Sequence, residues 1–171
     1  TADGIDVLHR LLASADILLE TATSAQRTTW GINAAAVADT HPRLVHVSIT
    51  PFGATGPLAD APATDMTLSA AGGFLNHQGD RDRPPLPIGF PETANHGAVQ
   101  AAADAITAIY ERERSGLGQH LDTSMQAAVV GTLLWTASYA AVDRNPTFSG
   151  DDRADGPSDR GGEVVPGVGN P

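Results

Sequence analysis

The chain contains no cysteine. Disulfides, thiolate zinc sites and cysteine nucleophiles are thereby excluded, and a reducing cytoplasm is the expected setting. Positive charge is scarce as well: 10 Lys and Arg stand against 20 Asp and Glu, a net charge of -10. Such a surface repels phosphate backbones and anionic lipid, so neither nucleic acid nor membrane is an expected partner. No apolar run approaches the ~20 residues of a membrane span, and no signal peptide is recognisable at the start. Internal repeats are missing, and the histidines at 9, 41, 46, 77, 96 and 120 show no metal-ligand spacing, so no metal is expected.

What is present is an ordinary globular composition, 41% hydrophobic and 18% charged over 171 residues. That length suits one domain burying roughly 70% of its unfolded surface. Asp3 to Ala13 carries Ile5, Leu8, Leu11 and Leu12 on one helical face. Asp16 to Glu20 follows as a short, nearly all-apolar strand of the kind covered on both faces of a parallel sheet. Ala34 to Ala38 reads as a helix and Leu44 to Ile49 as a second buried strand, so helix and strand alternate as in βαβ units. Phe52 to Glu92 is loop-rich, with a short helix from Met66 to Phe74 ending at Gly72-Gly73 and a solvated turn at 79–85. Leu86, Ile88 and Phe90 alternate as an extended segment.

The chain is organised around GAVQAAADAITAIYERERSGLGQHLDTSM, residues 97–125. Val99, Ala102, Ala103, Ile106, Ile109 and Tyr110 form an apolar stripe along a long buried helix from Gly97 to about Arg114. Alanines at 101, 102, 103, 105 and 108 keep a flank thin enough for close packing. Gly116 stands where a left-handed C-cap is wanted, and Gln119 to Met125 alternates like a strand. A further apolar helix is expected over Gln126–Tyr139. Residues 144–171 hold six glycines, four prolines and eight charges with little to bury, and are expected to be mobile. The domain is therefore set at 1–143.

Two ordered motifs carry a resemblance. YERERSGLGQHLDTSM is similar to the ERxxTGxGQxVDxSL signature of the family III CoA-transferases (CaiB/BaiF), a family that includes the alpha-methylacyl-CoA racemases. PRLVHVSITPFGATGP, residues 42–57, resembles the family's PRLVYVSISGFGQTGP, and Asp60, Pro62, Asp65, Gly72 and Gly73 continue the match. The resemblance covers Thr1 to Tyr139. It implies part of a Rossmann-like α/β large domain with a parallel sheet, whose earlier strands lie outside this sequence. The activity it implies is transfer of CoA between an acyl-CoA and a carboxylic acid, with coenzyme A as substrate. Assembly is expected as a homodimer or with a companion CoA-transferase half.

The family resemblance also locates the chemistry. A carboxylate is expected to form mixed-anhydride and CoA-thioester intermediates, dividing one acyl exchange into easier steps. The aspartate of the family's ADYxxG pattern falls here on Thr93 or Ala94, neither of which can form an acyl anhydride. Glu92 is the carboxylate nearby, as a displaced nucleophile or as a solvated loop residue. The adenine-binding loop ENFRPG is replaced by Glu20-Thr21-Ala22-Thr23-Ser24-Ala25, leaving Arg27 to contact phosphate and Trp30 to stack on a base, or to sit in the core. A racemase would need histidine where Thr64 stands, so racemization is disfavoured. His96 near Glu92 is either a base or a helix-start histidine, and His46 should point outward from its strand. Ser48 and Ser124 lack GxSxG context and an adjacent base, and Asp122 should support a glycine turn. Two readings remain, a transferase or part of one, and a catalytically silent half that keeps the fold. On the second, the chain alone transfers no CoA.

Overall fold

The computed structural model describes residues 1–79 and 84–134. The turn residues 80–83, the end of the last expected helix from Trp135 to Tyr139 and the tail 144–171 lie outside the described residues. The described part is a three-stranded parallel sheet in the order β1 (Ile17–Glu20), β2 (Val45–Thr50), β3 (His120–Ser124). Ile17 pairs with Val45, and His46 with His120. Helix α1 (Ala2–Leu12) precedes the sheet, and α2 (Ser24–Trp30) and α3 (Ala34–Thr40) connect β1 to β2. The longer crossover to β3 contains α4 (Asp65–Ala71), a 3-10 turn at Phe74–His77 and the 24-residue α5 (Glu92–Ser115). Helix α6 (Met125–Thr132) follows β3 directly.

Alternation along β2 divides the core in two. Val45, Val47 and Ile49 pack on Ala101, Ala105 and Ala108 of α5. On the other side Leu12, Ile32, Val37 and Leu44 form a second cluster with Leu8 and Leu18. All six residues of β2 are buried, as expected of a central parallel strand. β1 is different. Ile17 and Leu19 are exposed at 41% and 61%, because α5 lies over β2 and β3 and stops short of the edge strand.

Helix α5 also meets the sheet differently from the expectation. Its buried face is Thr93, Gly97, Ala101, Ala105, Ala108 and Arg112, the thin flank. Most of the stripe of larger residues turns outward: Val99, Ile106 and Tyr110 are each more than 70% exposed, while Ile109 packs against the core. Small side chains allow the helix axis to approach the strands closely, so the flank without bulk is the one that seats. Arg112 locks the far end, donating to Asp16 Oδ1 at 2.8 Å and to the Arg43 carbonyl at 3.1 Å. Gly116 closes the helix in the left-handed region (φ 78°), its N–H reaching the Arg112 carbonyl at 2.8 Å.

Candidate functional site

The carboxyl ends of parallel strands are where α/β sheets bind ligands, and here the ends of β2 and β3 open beside α5 and α6. Ser124 ends β3 and accepts from the Ala127 N–H at 3.2 Å, capping α6. Pro51, just past β2, accepts from the Gln126 N–H at 3.1 Å. Both Asp122 carboxylate oxygens accept from the Ala54 N–H, at 2.8 and 3.0 Å, so Asp122 holds the turn at Gly53 (φ 89°) and not the Gly116–Gly118 turn that it was expected to support. Between α5 and α6 lies an open cleft of about 820 Å³. Glu92, Asn95, His96 and Gln100 form one wall, and Ala127 and Leu134 face them.

Glu92 is the first residue of α5, partly buried, and belongs to the cleft wall rather than to a solvated loop. Its carboxyl is held above the ordinary glutamate value, first by burial and then by the negative charge of Asp65, against an opposing contribution from His96. His96 Nδ1 lies 2.9 Å from the Glu92 carbonyl, which can only accept. The ring therefore carries hydrogen on Nδ1, and in the neutral form Nε2 is an acceptor. Thr93 takes the place beside it and is only 1% exposed. Its backbone N–H and its hydroxyl both donate to Asp65 Oδ1, at 2.8 and 2.6 Å. Ala94 is partly buried and brings no reactive group.

A second polar cluster lies on the other face of the sheet, and nothing in the linear sequence announces it. Glu20 Oε1 meets Arg27 Nη1 at 3.4 Å and His46 Nε2 at 3.4 Å, and accepts a short bond from the Ser48 hydroxyl. Glu20 Oε2 accepts from the Ala22 N–H at 2.5 Å. Burial alone would raise the Glu20 carboxyl, but the bonds from His46, Ser48 and Ala22 and the Arg27 charge overcome it and hold the pKa at about 2. Ser48 Oγ is also 2.9 Å from His120 Nε2. His120 is pushed below the usual imidazole value by burial first, then by the neighbouring His46.

Two expectations change here. His46 is 1% exposed and points into the covered face, because α1–α3 cover the side of β2 that the alternation was expected to leave open. Ser48 does have adjacent imidazoles, from its own strand and from β3, although it is itself fully buried. The segment read as an adenine loop, residues 20–25, runs from the end of β1 through Thr21–Thr23 into the first residues of helix α2, which opens with a capping box between Thr23 and Gln26. Arg27 lies inside that helix, 8% exposed, with its guanidinium turned onto Glu20. Trp30 is 36% exposed, and its carbonyl pairs with His9 Nε2 at 3.0 Å. The structure therefore brings Glu92 and His96 together on the cleft wall, with Asp65 bonded to the neighbouring Thr93, while Arg27 lies in the Glu20 cluster on the sheet's other face. Among the described residues no three His, Asp or Glu side chains are grouped to hold a metal ion.

An open parallel sheet with helices packed on it and a cleft at its strand ends defines an α/β protein. The model of the CoA-transferase family III matches residues 1–160, and the chain belongs to that family. It is 32% identical over 130 residues to the formyl-CoA:oxalate CoA-transferase of Streptomyces avermitilis, covering 76% of this chain and 32% of that one. It is 35% identical over 144 residues to the acetyl-CoA:oxalate CoA-transferase of Acetobacter aceti, covering 81% and 37%. The fold superposes on the crystal structure of a CaiB/BaiF family protein from Brucella suis with a TM-score of 0.80, at 29% identity over 85% of this chain and 39% of that one. The chain thus spans about a third of the length of the relatives it matches.

Proposed function

We propose that this chain forms the carboxylate-bearing wall of an acyl-CoA:carboxylate CoA-transferase, with Glu92 as the acyl carrier. The observation that supports this is the position of Glu92, at the start of α5 and in the wall of the 820 Å³ cleft. A Glu92 carboxylate oxygen attacks the thioester carbonyl, the C–S bond breaks, and CoA leaves as its thiolate. The thiolate then attacks the glutamyl carbonyl of the mixed anhydride, releasing the first acid and leaving a glutamyl-CoA thioester. The acceptor carboxylate and the same thiolate repeat the two steps in reverse, giving the new acyl-CoA and restoring Glu92. Neither oxidant nor metal is required. The first attack needs an ionised Glu92, so exchange should fall as pH drops through a pKa lying above the ordinary glutamate value.

The loop at residues 20–25 fits CoA poorly. Ala22 is buried, and the Arg27 charge is committed to Glu20, so this segment offers no cation for the nucleotide phosphates. CoA contacts would have to come from elsewhere in the assembly. The silent-half reading is favoured by one observation, the buried Thr93 in the expected aspartate position, already bonded to Asp65. The two readings are separated by isotope exchange between labelled carboxylic acids and their CoA thioesters. Exchange by the wild-type assembly, lost at least about a hundredfold in Glu92→Gln, supports the transferase. No exchange in either protein would leave the silent half, and equal measurable rates would place the acyl carrier elsewhere in the assembly.

Assembly with a second copy or a companion half belongs to the same proposal. Val99, Ile106 and Tyr110 present an apolar stripe that a soluble monomer seldom leaves uncovered. Light scattering should show association at micromolar concentration, reduced by Ile106→Glu. A monodisperse wild-type monomer would contradict it.

A further inference from the structure

Helix α5 has no cap of its own. Pro91 occupies the N-cap position and makes no side-chain hydrogen bond, yet the first turn is partly buried and begins with Glu92. An exposed helix start can leave its N–H groups to water, but Thr93 is 1% exposed. The missing acceptor comes from 28 residues earlier. Asp65, at the first position of α4, presents Oδ1 to both the Thr93 N–H (2.8 Å) and the Thr93 hydroxyl (2.6 Å). Two helix starts, those of α4 and α5, therefore converge on one carboxylate.

We propose that Asp65 is a positioning residue for Glu92, supplying the cap that α5 lacks and thereby setting where the Glu92 carboxylate stands on the cleft wall. This rests on the reading of Glu92 as acyl carrier. Residue 92 immediately precedes the clamped residue, so α5 cannot slip or fray at its start without moving Glu92. Threonine suits the clamp because its hydroxyl adds a second donor to the same oxygen, and its β-branched side chain keeps few rotamers. The charged and titratable groups bearing on Glu92 are His96 from its own helix and Asp65 from α4, with Asp104 and Asp122 also in the cleft wall. Removing the Asp65 charge should therefore let Glu92 ionise at lower pH.

Two variants separate the bond from the charge. Asp65→Asn keeps an acceptor oxygen for Thr93 and loses the charge, whereas Asp65→Ala loses both. Amide hydrogen exchange at Thr93 and a carbon-13 titration of the Glu92 carboxyl read them without any assay of activity. Asp65→Ala should speed Thr93 exchange roughly tenfold, the usual consequence of losing a cap. It should also move the Glu92 titration to lower pH. Asp65→Asn should move the titration in the same direction while keeping the Thr93 protection. Thr93→Val, which removes only the hydroxyl bond, should give a smaller rise in exchange and serves if Asp65→Ala does not fold. Unchanged exchange and unchanged titration across the variants would overturn the proposal. Shifted titration and exchange in a protein that never carries an acyl group would uphold the positioning and refute the acyl-carrier reading alone.

Discussion

Gly118→Ala should destabilise the protein by at least about 3 kcal/mol, enough to remove most of the stability of a domain this size. The strand β3 enters the sheet past the turn at Pro42–Leu44, with the Gly118 N–H on the Pro42 carbonyl at 2.8 Å. A Cβ at residue 118 would fall on the Leu44 carbonyl, far inside contact distance, with the Arg43 carbonyl carbon also only 2.7 Å away. These are backbone atoms at the mouth of β2 and cannot swing aside. The alternative is to lift β3, which would break the His46 N–H bond to the Gln119 carbonyl and open the packing of Leu121 against Val47 and α5. Gly131→Ala is the control. Among the described residues its Cβ meets nothing within 4 Å, and in helix α6 alanine should gain about 0.5–1 kcal/mol. Urea unfolding of the two variants measures both effects. A Gly118→Ala midpoint equal to wild type would mean that β3 does not pass this close to β2.

The second large effect concerns the Glu20 cluster. Arg27→Met should destabilise the protein by about 1–3 kcal/mol at neutral pH, because it removes the cation facing a buried carboxylate and leaves it the hydrogen bonds from His46, Ser48 and Ala22. The effect should depend on pH in a defined direction. The Glu20 pKa is depressed to about 2 in the folded protein. The stability this contributes is present in full above the unfolded value of 4.5 and is lost as pH falls from there through 2. The difference between wild type and Arg27→Met should therefore shrink across that window. His120 adds an earlier decline, because a lowered imidazole pKa makes the unfolded chain take up protons first as pH drops below 6.5. Chemical denaturation at several pH values reads both windows. A variant as stable as wild type at pH 7 would show that the Arg27 charge does not compensate Glu20.

Local pattern gave the parallel strands, the α5 C-cap at Gly116 and the order of elements, because each depends on residues a few positions apart. Helix α2 was legible too: Thr23-x-x-Gln26 is a capping box and Gly31 a left-handed C-cap. Reading the segment as a family adenine loop concealed both. The start of α5 was not legible, since the cap that lets the helix begin at Glu92 comes from Asp65 on another element. Periodicity likewise revealed two faces on α5, the alanine flank and the Val99–Tyr110 stripe, without saying which the sheet would take. The answer depended on how closely strands and helix approach. The Glu20–Arg27–His46–Ser48–His120 cluster had no linear signature at all. It exists because the register sets Glu20 beside Ser48 and brings His46 opposite His120.

Glu92 as acyl carrier is the central claim, and a covalent adduct tests it most directly. The wild-type assembly is incubated with a panel of acyl-CoAs, quenched, digested and mapped by mass spectrometry. A hydroxylamine-sensitive acyl or CoA adduct is expected on the peptide carrying Glu92, absent from Glu92→Gln. No adduct with any acyl-CoA, or an adduct that persists in Glu92→Gln, would contradict it.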